Sequence, residues 1–197
     1  MITILGCGGH AKSVADIILR NDESTKLLFV DENALPDEKI WGFKVIKPNE
    51  NSYPVNFIAV GDNKKRELHF NSFDKKHLIN VISHYAYLGR NTNLGIGTMV
   101  GDFSKIGPEV EVGTNSIINT ATVIEHETKV GNNCHVAPSA CVCGRVKIGN
   151  NVFVGAGATI IDKVEICSNV IIGAGSVVIE NIIESGIYLG VPARRMK

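Results

Sequence analysis

A six-residue repeat of aliphatic residues runs through the second half of the chain. From Ile82 to Val178, every sixth residue is isoleucine, leucine or valine, and the register never slips. Glycine often follows the aliphatic residue, as at Gly107 and Gly131, where we expect a tight turn or a close backbone approach. A period of six fits neither the 3.6-residue period of an α-helix nor a β-hairpin. It predicts a parallel β-helix, whose short strands point the aliphatic side chains into a narrow core.

This β-helix is predicted to have a triangular cross-section. Three hexads close one coil, so the repeat from Leu88 to Val178 corresponds to about five coils. With strands stacked ~4.8 Å apart, the prism would be about 25 Å long. The residue two places before the aliphatic one is often small or β-branched, as at Thr98 and Ser116.

Residues 1–81 follow a different pattern, in which short apolar runs alternate with polar helical stretches. The runs ITIL, KLLFVDE, NFIAVGDN and LINVIS are typical of strands, and helices are predicted after GCGGH and from NKKRELH. Strands that alternate with helices predict a parallel sheet with right-handed crossovers. We therefore expect two domains: an α/β half-Rossmann domain over 1–81, and a β-helix domain with a C-terminal tail over 82–197.

The loop GCGGHA joins the first predicted strand to the first predicted helix. Asp31 follows about twenty residues later, as in a dinucleotide-binding fingerprint. Glycines in this loop let a phosphate approach the helix N-terminus, and an acidic side chain can bind a ribose hydroxyl. Because the predicted sheet lacks the second half that would hold a nicotinamide, a nucleotide sugar fits this domain better than NAD.

Charge and hydropathy argue against two classes of partner. Lysine and arginine together number 20, as do aspartate and glutamate, so the basic footprint of a nucleic-acid-binding protein is missing. No apolar run approaches the ~20 residues of a membrane span, and the start MITILGCGGH does not resemble a signal peptide. We expect a cytoplasmic protein whose five cysteines are free thiols.

The segment IEHETKVGNNCH, from Ile124 to His135, contains two histidines and two glutamates. Such a group could form an acid–base site, a metal site or a solvated surface. His126 lies two places after the core residue Ile124 and shares its strand parity, so only a turn can direct it outward. Either Glu125 or Glu127 could then orient it. The predicted coils hold too few histidines for a three-histidine metal site, so we expect no metal.

Three segments together resemble a known family: GCGGHA, NTATVIEHETKVGNNCH and the final GVPARRM. They are similar to the PglD/NeuD-type hexapeptide-repeat sugar acetyltransferases, and most to those that N-acetylate UDP-4-amino-4,6-dideoxy sugars with acetyl-CoA. The resemblance spans essentially the whole chain. It implies a left-handed coil, acetyl-CoA as cosubstrate, and a homotrimer with active sites between subunits.

The resemblance also implies roles for individual residues. His126 would be the general base, and Glu127 would orient it. The positions implied to bind acetyl-CoA, at the thioester or along the CoA arm, are His135, Gly144, Ala156, Gly173 and Ala174. Those implied to bind the nucleotide sugar are Gly8, Gly9, His10, Asp31, Glu32 and Gly61.

Acetyl transfer from a thioester to an amine matches these residue types. The amine must be neutral, the developing oxyanion needs a hydrogen-bond donor, and a base must accept a proton near neutral pH, which suits histidine. We therefore expect N-acetylation of the 4-amino group of a nucleotide-linked 4-amino-4,6-dideoxy sugar, with UDP as the nucleotide. The alternatives are sialic acid O-acetylation, N-acetylation of a GDP- or dTDP-linked amino sugar, and a non-catalytic trimeric nucleotide-sugar scaffold.

Overall fold

The computed structural model describes residues 1–48 and 54–196. Its N-terminal strands are β1 (Ile2–Leu5), β2 (Leu27–Val30), β3 (Lys39–Ile40), β4 (Phe43–Ile46) and β5 (Phe57–Ile58). Helix α1 (Gly9–Asn21) follows β1, helix α2 (Asn63–Ser72) follows β5, and a 3-10 turn spans Lys75–His77. The strands form one sheet of order β3-β4-β2-β1-β5, parallel except for the β3–β4 pair. The predicted parallel α/β arrangement is confirmed.

Two features of this half differ from the prediction. Strands β3 and β4 form a hairpin that the sequence analysis missed, because its strands are short and carry lysines. Both residues of its turn, Trp41 and Gly42, have positive φ values, 51° and 86°, as tight hairpin turns require. The run LINVIS contributes only Val81 and Ile82 to a strand, and this strand pairs with the β-helix rather than with the N-terminal sheet. The hexad register explains the difference, since Ile82 is the first step of the repeat.

The β-helix starts at β6 (Val81–Ile82), and its strands make three faces. Face I contains β6, β9 (Met99–Val100), β12 (Ile117–Ile118), β15 (His135–Val136), β18 (Phe153–Val154), β21 (Val170–Ile172), β23 (Gly186–Leu189) and β24 (Arg194–Arg195). Face II contains β7 (Tyr87–Leu88), β10 (Lys105–Ile106), β13 (Val123–Ile124), β16 (Cys141–Val142), β19 (Thr159–Ile160) and β22 (Val177–Val178). Face III contains β8 (Asn93–Leu94), β11 (Glu111–Val112), β14 (Lys129–Val130), β17 (Lys147–Ile148) and β20 (Glu165–Ile166). The predicted parallel β-helix is confirmed.

The aliphatic repeat forms the core of this helix. From Val100 to Val178, every repeat residue is buried in one hydrophobic cluster. The small polar residues two places earlier are buried as well, and their hydroxyls donate hydrogen bonds to carbonyl oxygens at the same corner of the next coil. The Thr98 hydroxyl reaches Gly113 O at 3.1 Å, and the Ser104 hydroxyl reaches Asn119 O at 2.8 Å. These bonds satisfy groups that would otherwise be buried unpaired.

The corners combine two different backbone requirements. The glycine directly after the aliphatic residue is needed for space: a Cβ on Gly95 would stand 2.5 Å from the Thr114 nitrogen of the next coil. The positive φ falls two residues later, mostly on residues that are not glycine. These residues are Asn91, Phe103, Glu109, Asn115, Ala121, Glu127, Asn133, Ser139, Arg145, Asn151, Lys163 and Asn169, with Gly97, Gly157 and Gly175.

The N-terminal domain packs on face I. Met99 and Ile117 project outward from this face, and both are buried in the core cluster of the N-terminal domain. Arg66 of α2 is 1% exposed, and its guanidinium donates to the carbonyl oxygens of Asn115 at 2.9 Å and Cys134 at 3.0 Å. In the described ranges, the helices are all too short or too polar to cross a membrane.

Candidate active site

His126 and Glu127 form the corner between β13 on face II and β14 on face III. Glu127 has a φ of 59°, and this left-handed residue lets two consecutive side chains meet outside the coil. The His126 Nδ1 atom lies 2.9 Å from Glu127 Oε2. The two side chains are 42% and 50% exposed, so a ligand can reach them. The corner therefore provides the turn that directs the His126 side chain outward.

Glu125 has a different partner from His126. Its Oε1 atom accepts a hydrogen bond from Lys105 Nζ at 2.7 Å, across to the preceding coil of face II. Glu127 is therefore the carboxylate placed at His126 Nδ1. If Glu127 accepts the Nδ1 proton, Nε2 is the ring nitrogen left to accept a proton from a ligand.

Gly144 lies against the imidazole, one coil further along the same corner. A Cβ at this buried residue would stand 2.6 Å from His126 Cε1 and 2.7 Å from Nε2. Only glycine leaves the ring in its observed place. The Gly144 N–H makes no hydrogen bond within the described part of the chain.

Two charged residues that the sequence analysis missed complete this corner. Asp162 Oδ1 lies 3.2 Å from the position of that same Gly144 Cβ. Arg145 Nη2 donates to both Asp162 oxygens, at 3.1 and 3.0 Å, and Nη1 is 3.9 Å from Glu127 Oε2. Its hydrogen bond to Asp162 raises the pKa of Arg145. Arg145 lies one coil after Glu127, and Asp162 lies two coils after His126. Comparison of equivalent positions in successive coils would therefore have identified both residues.

The glycine loop begins helix α1, as predicted from GCGGHA. Gly8 is the N-cap of α1 and Gly9 its first residue, and a Cβ on either would meet no atom within 4 Å. The Asp31 carboxylate accepts hydrogen bonds from the Cys7 N–H at 3.1 Å and the Asn33 N–H at 2.9 Å. Burial raises the pKa of Asp31, but these hydrogen bonds outweigh it and hold the pKa below its ordinary value.

A cavity of about 450 Å³ opens beside this loop, where β1 and β2 end, and Asp31 and Glu32 line it. Its remaining walls combine apolar and basic side chains, which suits a nucleobase and phosphates. They include Val30, Ile46, Val60, Phe73, Lys47 and Lys65.

His10 and His135 lie close together between the N-terminal domain and face I. Their ring centroids are 6.4 Å apart, and His135 Nε2 is 3.1 Å from Asn119 Nδ2. Burial, reinforced by the positive charge of Arg66, lowers the pKa of each histidine to about 4. Arg66 Nη1 also donates to the Gly61 carbonyl at 3.1 Å. Both imidazoles are therefore neutral at physiological pH.

Ala156, Gly173 and Ala174 lie at the corner between faces I and II. Ala156 stands one coil before Ala174, and its carbonyl accepts a hydrogen bond from the Gly175 N–H at 2.9 Å. Ala156 and Ala174 are small and exposed, whereas the Leu189 side chain packs against Gly173.

Besides the corner of Ala156, Gly173 and Ala174, one chain separates the predicted site residues into two further regions. His126, Glu127 and Gly144 occupy the corner between faces II and III. His135 and the N-terminal domain lie on face I, which is the opposite side of the triangle. The nine residues from His126 to His135 are half a coil, so these two side chains cannot meet within one chain. Among the described residues, no group of three or more His, Cys, Asp or Glu side chains is arranged to hold a metal.

Comparison with known proteins supplies the family. The profile of the PglD N-terminal domain matches residues 1–73, and that of the bacterial transferase hexapeptide (six repeats) matches residues 145–180. PerB from Caulobacter crescentus, solved in complex with CoA and GDP-perosamine, is 31% identical, with 100% of this chain and 97% of PerB covered and a TM-score of 0.88. The chain belongs to the PglD-type hexapeptide-repeat sugar acetyltransferases. The predicted enzyme class, an acetyl-CoA-dependent acyltransferase, is confirmed.

Two solved structures that are less than 25% identical to this acetyltransferase support the fold alone. The acetyltransferase domain of PglB from Neisseria gonorrhoeae FA1090 is 24% identical, with 99% of this chain and 98% of that chain covered and a TM-score of 0.91. WeeI from Acinetobacter baumannii AYE is 21% identical, with 100% and 99% covered and a TM-score of 0.90. The uncharacterized protein L142 of Acanthamoeba polyphaga mimivirus is 34% identical over 107 residues, which are 53% of this chain and 22% of that relative.

Proposed function

We propose that this acetyltransferase moves the acetyl group of acetyl-CoA onto the 4-amino group of a nucleotide-linked 4-amino-4,6-dideoxy sugar. The observation that carries the proposal is the 2.9 Å contact between His126 Nδ1 and Glu127 Oε2. It leaves Nε2 beside Gly144 without a hydrogen-bond partner among the described residues, on an exposed side chain, as a general base requires. The GDP-perosamine complex of PerB supports an amino sugar as the acceptor.

The proposed step uses His126 as the general base. The neutral amine attacks the thioester carbon while His126 Nε2 accepts one of its protons, and Glu127 stabilises the imidazolium that forms. The carbonyl oxygen gains negative charge in the tetrahedral intermediate, and the unpaired Gly144 N–H is the donor we assign to it. Collapse breaks the carbon–sulfur bond, and the CoA thiolate takes the proton from His126.

The N-terminal domain is the proposed nucleotide-sugar site. Gly8, Gly9 and the cavity at Asp31 and Glu32 would hold the nucleotide, and His10 and Gly61 would face the sugar. The sequence resemblance favours UDP, whereas the PerB complex contains GDP-perosamine. Both nucleotides are therefore candidates. Acetyl-CoA and nucleotide sugars are cytoplasmic metabolites, so we assign the reaction to the cytoplasm.

A homotrimer would complete the site. The His126 corner faces away from the N-terminal domain of its own chain, so the sugar amine must reach a His126 that belongs to a neighbouring subunit. Acetyl-CoA would then lie between two subunits, with Gly144 on one side. His135, Ala156, Gly173 and Ala174 of the neighbour would form the other side.

The test is a turnover assay with acetyl-CoA and a panel of UDP-, GDP- and dTDP-linked amino sugars, following release of the CoA thiol. We expect turnover with one nucleotide series and a loss of about 10²–10⁴-fold in His126→Ala. No turnover with any amino sugar, or full turnover in His126→Ala, would refute the proposal. Acetyl transfer only to a sialic acid hydroxyl would replace it with O-acetylation, and nucleotide-sugar binding without acetyl-CoA binding would indicate a scaffold.

A further inference from the structure

Asp162 places a second carboxylate beside the base. Asp162 lies two coils beyond His126 on the same corner, with Gly144 between them. Because Gly144 has no side chain, both neighbours reach the space above it. The position of a Gly144 Cβ is 2.7 Å from His126 Nε2 and 3.2 Å from Asp162 Oδ1. The proton-accepting nitrogen and a carboxylate oxygen therefore border the same small volume.

Arg145 holds this carboxylate in place. Its guanidinium bonds both Asp162 oxygens and approaches Glu127 Oε2 at 3.9 Å, so it separates the two acidic groups and balances their charge. Lys163 Nζ adds a further cation 3.8 Å from Asp162 Oδ2. A carboxylate oxygen can accept more than one hydrogen bond, so Oδ1 keeps a free acceptor direction. The Asp162 side chain is 41% exposed, which leaves it open to a ligand.

We propose that Asp162 accepts the second N–H of the acceptor amine, and that it thereby selects amines over hydroxyls. This inference rests on the function proposed above. A neutral primary amine has two N–H bonds and one lone pair. With one N–H directed to His126 Nε2 and the other to Asp162 Oδ1, the lone pair is left to face the thioester carbon. A hydroxyl has a single proton, so when that proton is donated to His126 and one lone pair faces the thioester carbon, the other lone pair faces the carboxylate and is repelled.

The chemical balance of the step is unchanged. The nitrogen lone pair forms the new carbon–nitrogen bond, and the carbon–sulfur bond breaks. The proton on the His126 side passes through Nε2 to the CoA sulfur, and the proton on the Asp162 side stays on the amide product. Asp162 neither gains nor loses a proton.

The test compares two acceptors, the amino sugar and the same nucleotide sugar with a hydroxyl in place of the amine. In Asp162→Leu we expect kcat/KM for the amine to fall by about 10–100-fold, since a charge-assisted hydrogen bond is lost. The rate with the hydroxyl acceptor should stay level or rise, and the KM for acetyl-CoA should not change. Asp162→Asn keeps an acceptor oxygen without the charge, so its amine-to-hydroxyl rate ratio should lie between those of the wild type and Asp162→Leu.

The matched control is Glu165→Gln, which removes the charge of another exposed carboxylate in the same coil. Glu165 pairs with Lys147 at 2.7 Å on face III, away from the His126 corner, and this variant should keep the wild-type ratio. Equal losses with both acceptors in Asp162→Leu would overturn the inference, as would a change confined to the KM for acetyl-CoA. If Asp162→Leu does not fold, an unchanged ratio in Asp162→Asn overturns it instead. Failure of the wild type to acetylate any amino sugar would refute the proposed function itself.

Discussion

Replacing Gly144 with alanine should displace His126, the proposed base, without unfolding the protein. The new Cβ would stand 2.6 Å from His126 Cε1 and 2.7 Å from Nε2, well inside van der Waals contact, so the ring must rotate away. Gly144 is not one of the positive-φ glycines, so alanine adds no backbone strain there. The nearest atoms belong to exposed side chains that can move. Rotation of the ring breaks the 2.9 Å contact with Glu127.

The two expected effects differ greatly in size. General-base catalysis contributes about 10²–10⁴-fold, so kcat should fall by that factor. The broken histidine–glutamate pair is exposed, and such pairs contribute at most about 1 kcal/mol to stability. For a chain of this length, that loss lowers Tm by no more than about 4 °C.

Gly131→Ala is the matched control, on the corner between faces III and I. Its Cβ would meet backbone rather than a side chain, 2.6 Å from both the carbon and the oxygen of the Gly149 carbonyl. The coil itself must shift, at a cost of about 1–3 kcal/mol. We expect a clear loss of Tm and a folded fraction that keeps its kcat. Thiol release and thermal unfolding by circular dichroism measure the two quantities. A Gly144→Ala protein with wild-type kcat would refute the proposed position and role of His126.

Two further predictions concern the contact between the domains. His10 and His135 have pKa values of about 4 when folded against 6.5 ordinarily, so the unfolded chain binds more protons between these values. The free energy of unfolding should therefore fall as the pH drops from 7, by about 1 kcal/mol per histidine at pH 5.5. Urea unfolding at several pH values measures this dependence, and the double variant His10→Asn, His135→Asn should lose it. Arg66→Met removes the hydrogen-bond donor from the carbonyls of Asn115 and Cys134, and it should lower the free energy of unfolding by about 2–4 kcal/mol. A variant with the melting temperature of the wild type would contradict the role we give this contact.

The hexad repeat predicted the β-helix because each coil repeats one constraint, a buried aliphatic residue. It also fixed the register of the segment that carries the proposed base. It could not decide between Glu125 and Glu127, because that choice depends on the backbone after His126. The left-handed conformation at Glu127 comes from closing the coil at a corner, and glutamate has no intrinsic preference for it. Once the corner is in place, Glu125 meets Lys105 and Glu127 meets the imidazole.

The contact between the domains was beyond the sequence argument for a different reason. In the sequence, Arg66 is one of several cations on a polar helix. In the structure it is buried and donates hydrogen bonds to backbone carbonyls of two successive coils. Every residue has a backbone carbonyl, so the pattern of side chains does not show which carbonyls Arg66 will bind. The hairpin of β3 and β4 escaped for a related reason: its turn dipeptide, Trp41 and Gly42, is not among the usual turn signals.

The geometry of a β-helix itself explains why the proposed chemistry divides between a corner and a face. A two-residue strand directs one side chain inward and one outward, so a face offers only single outward residues, each a full coil from the next. Such a flat surface suits the docking of a domain, as at Met99 and Ile117 on face I. A corner places three consecutive residues outside the core, and the left-handed third residue brings its side chain back to the second. Adjacent residues can therefore form an acid–base pair only at a corner. In the proposed reaction, a base at the corner opposite face I would work on a sugar held by the N-terminal domain of another subunit, which ties the proposed activity to assembly.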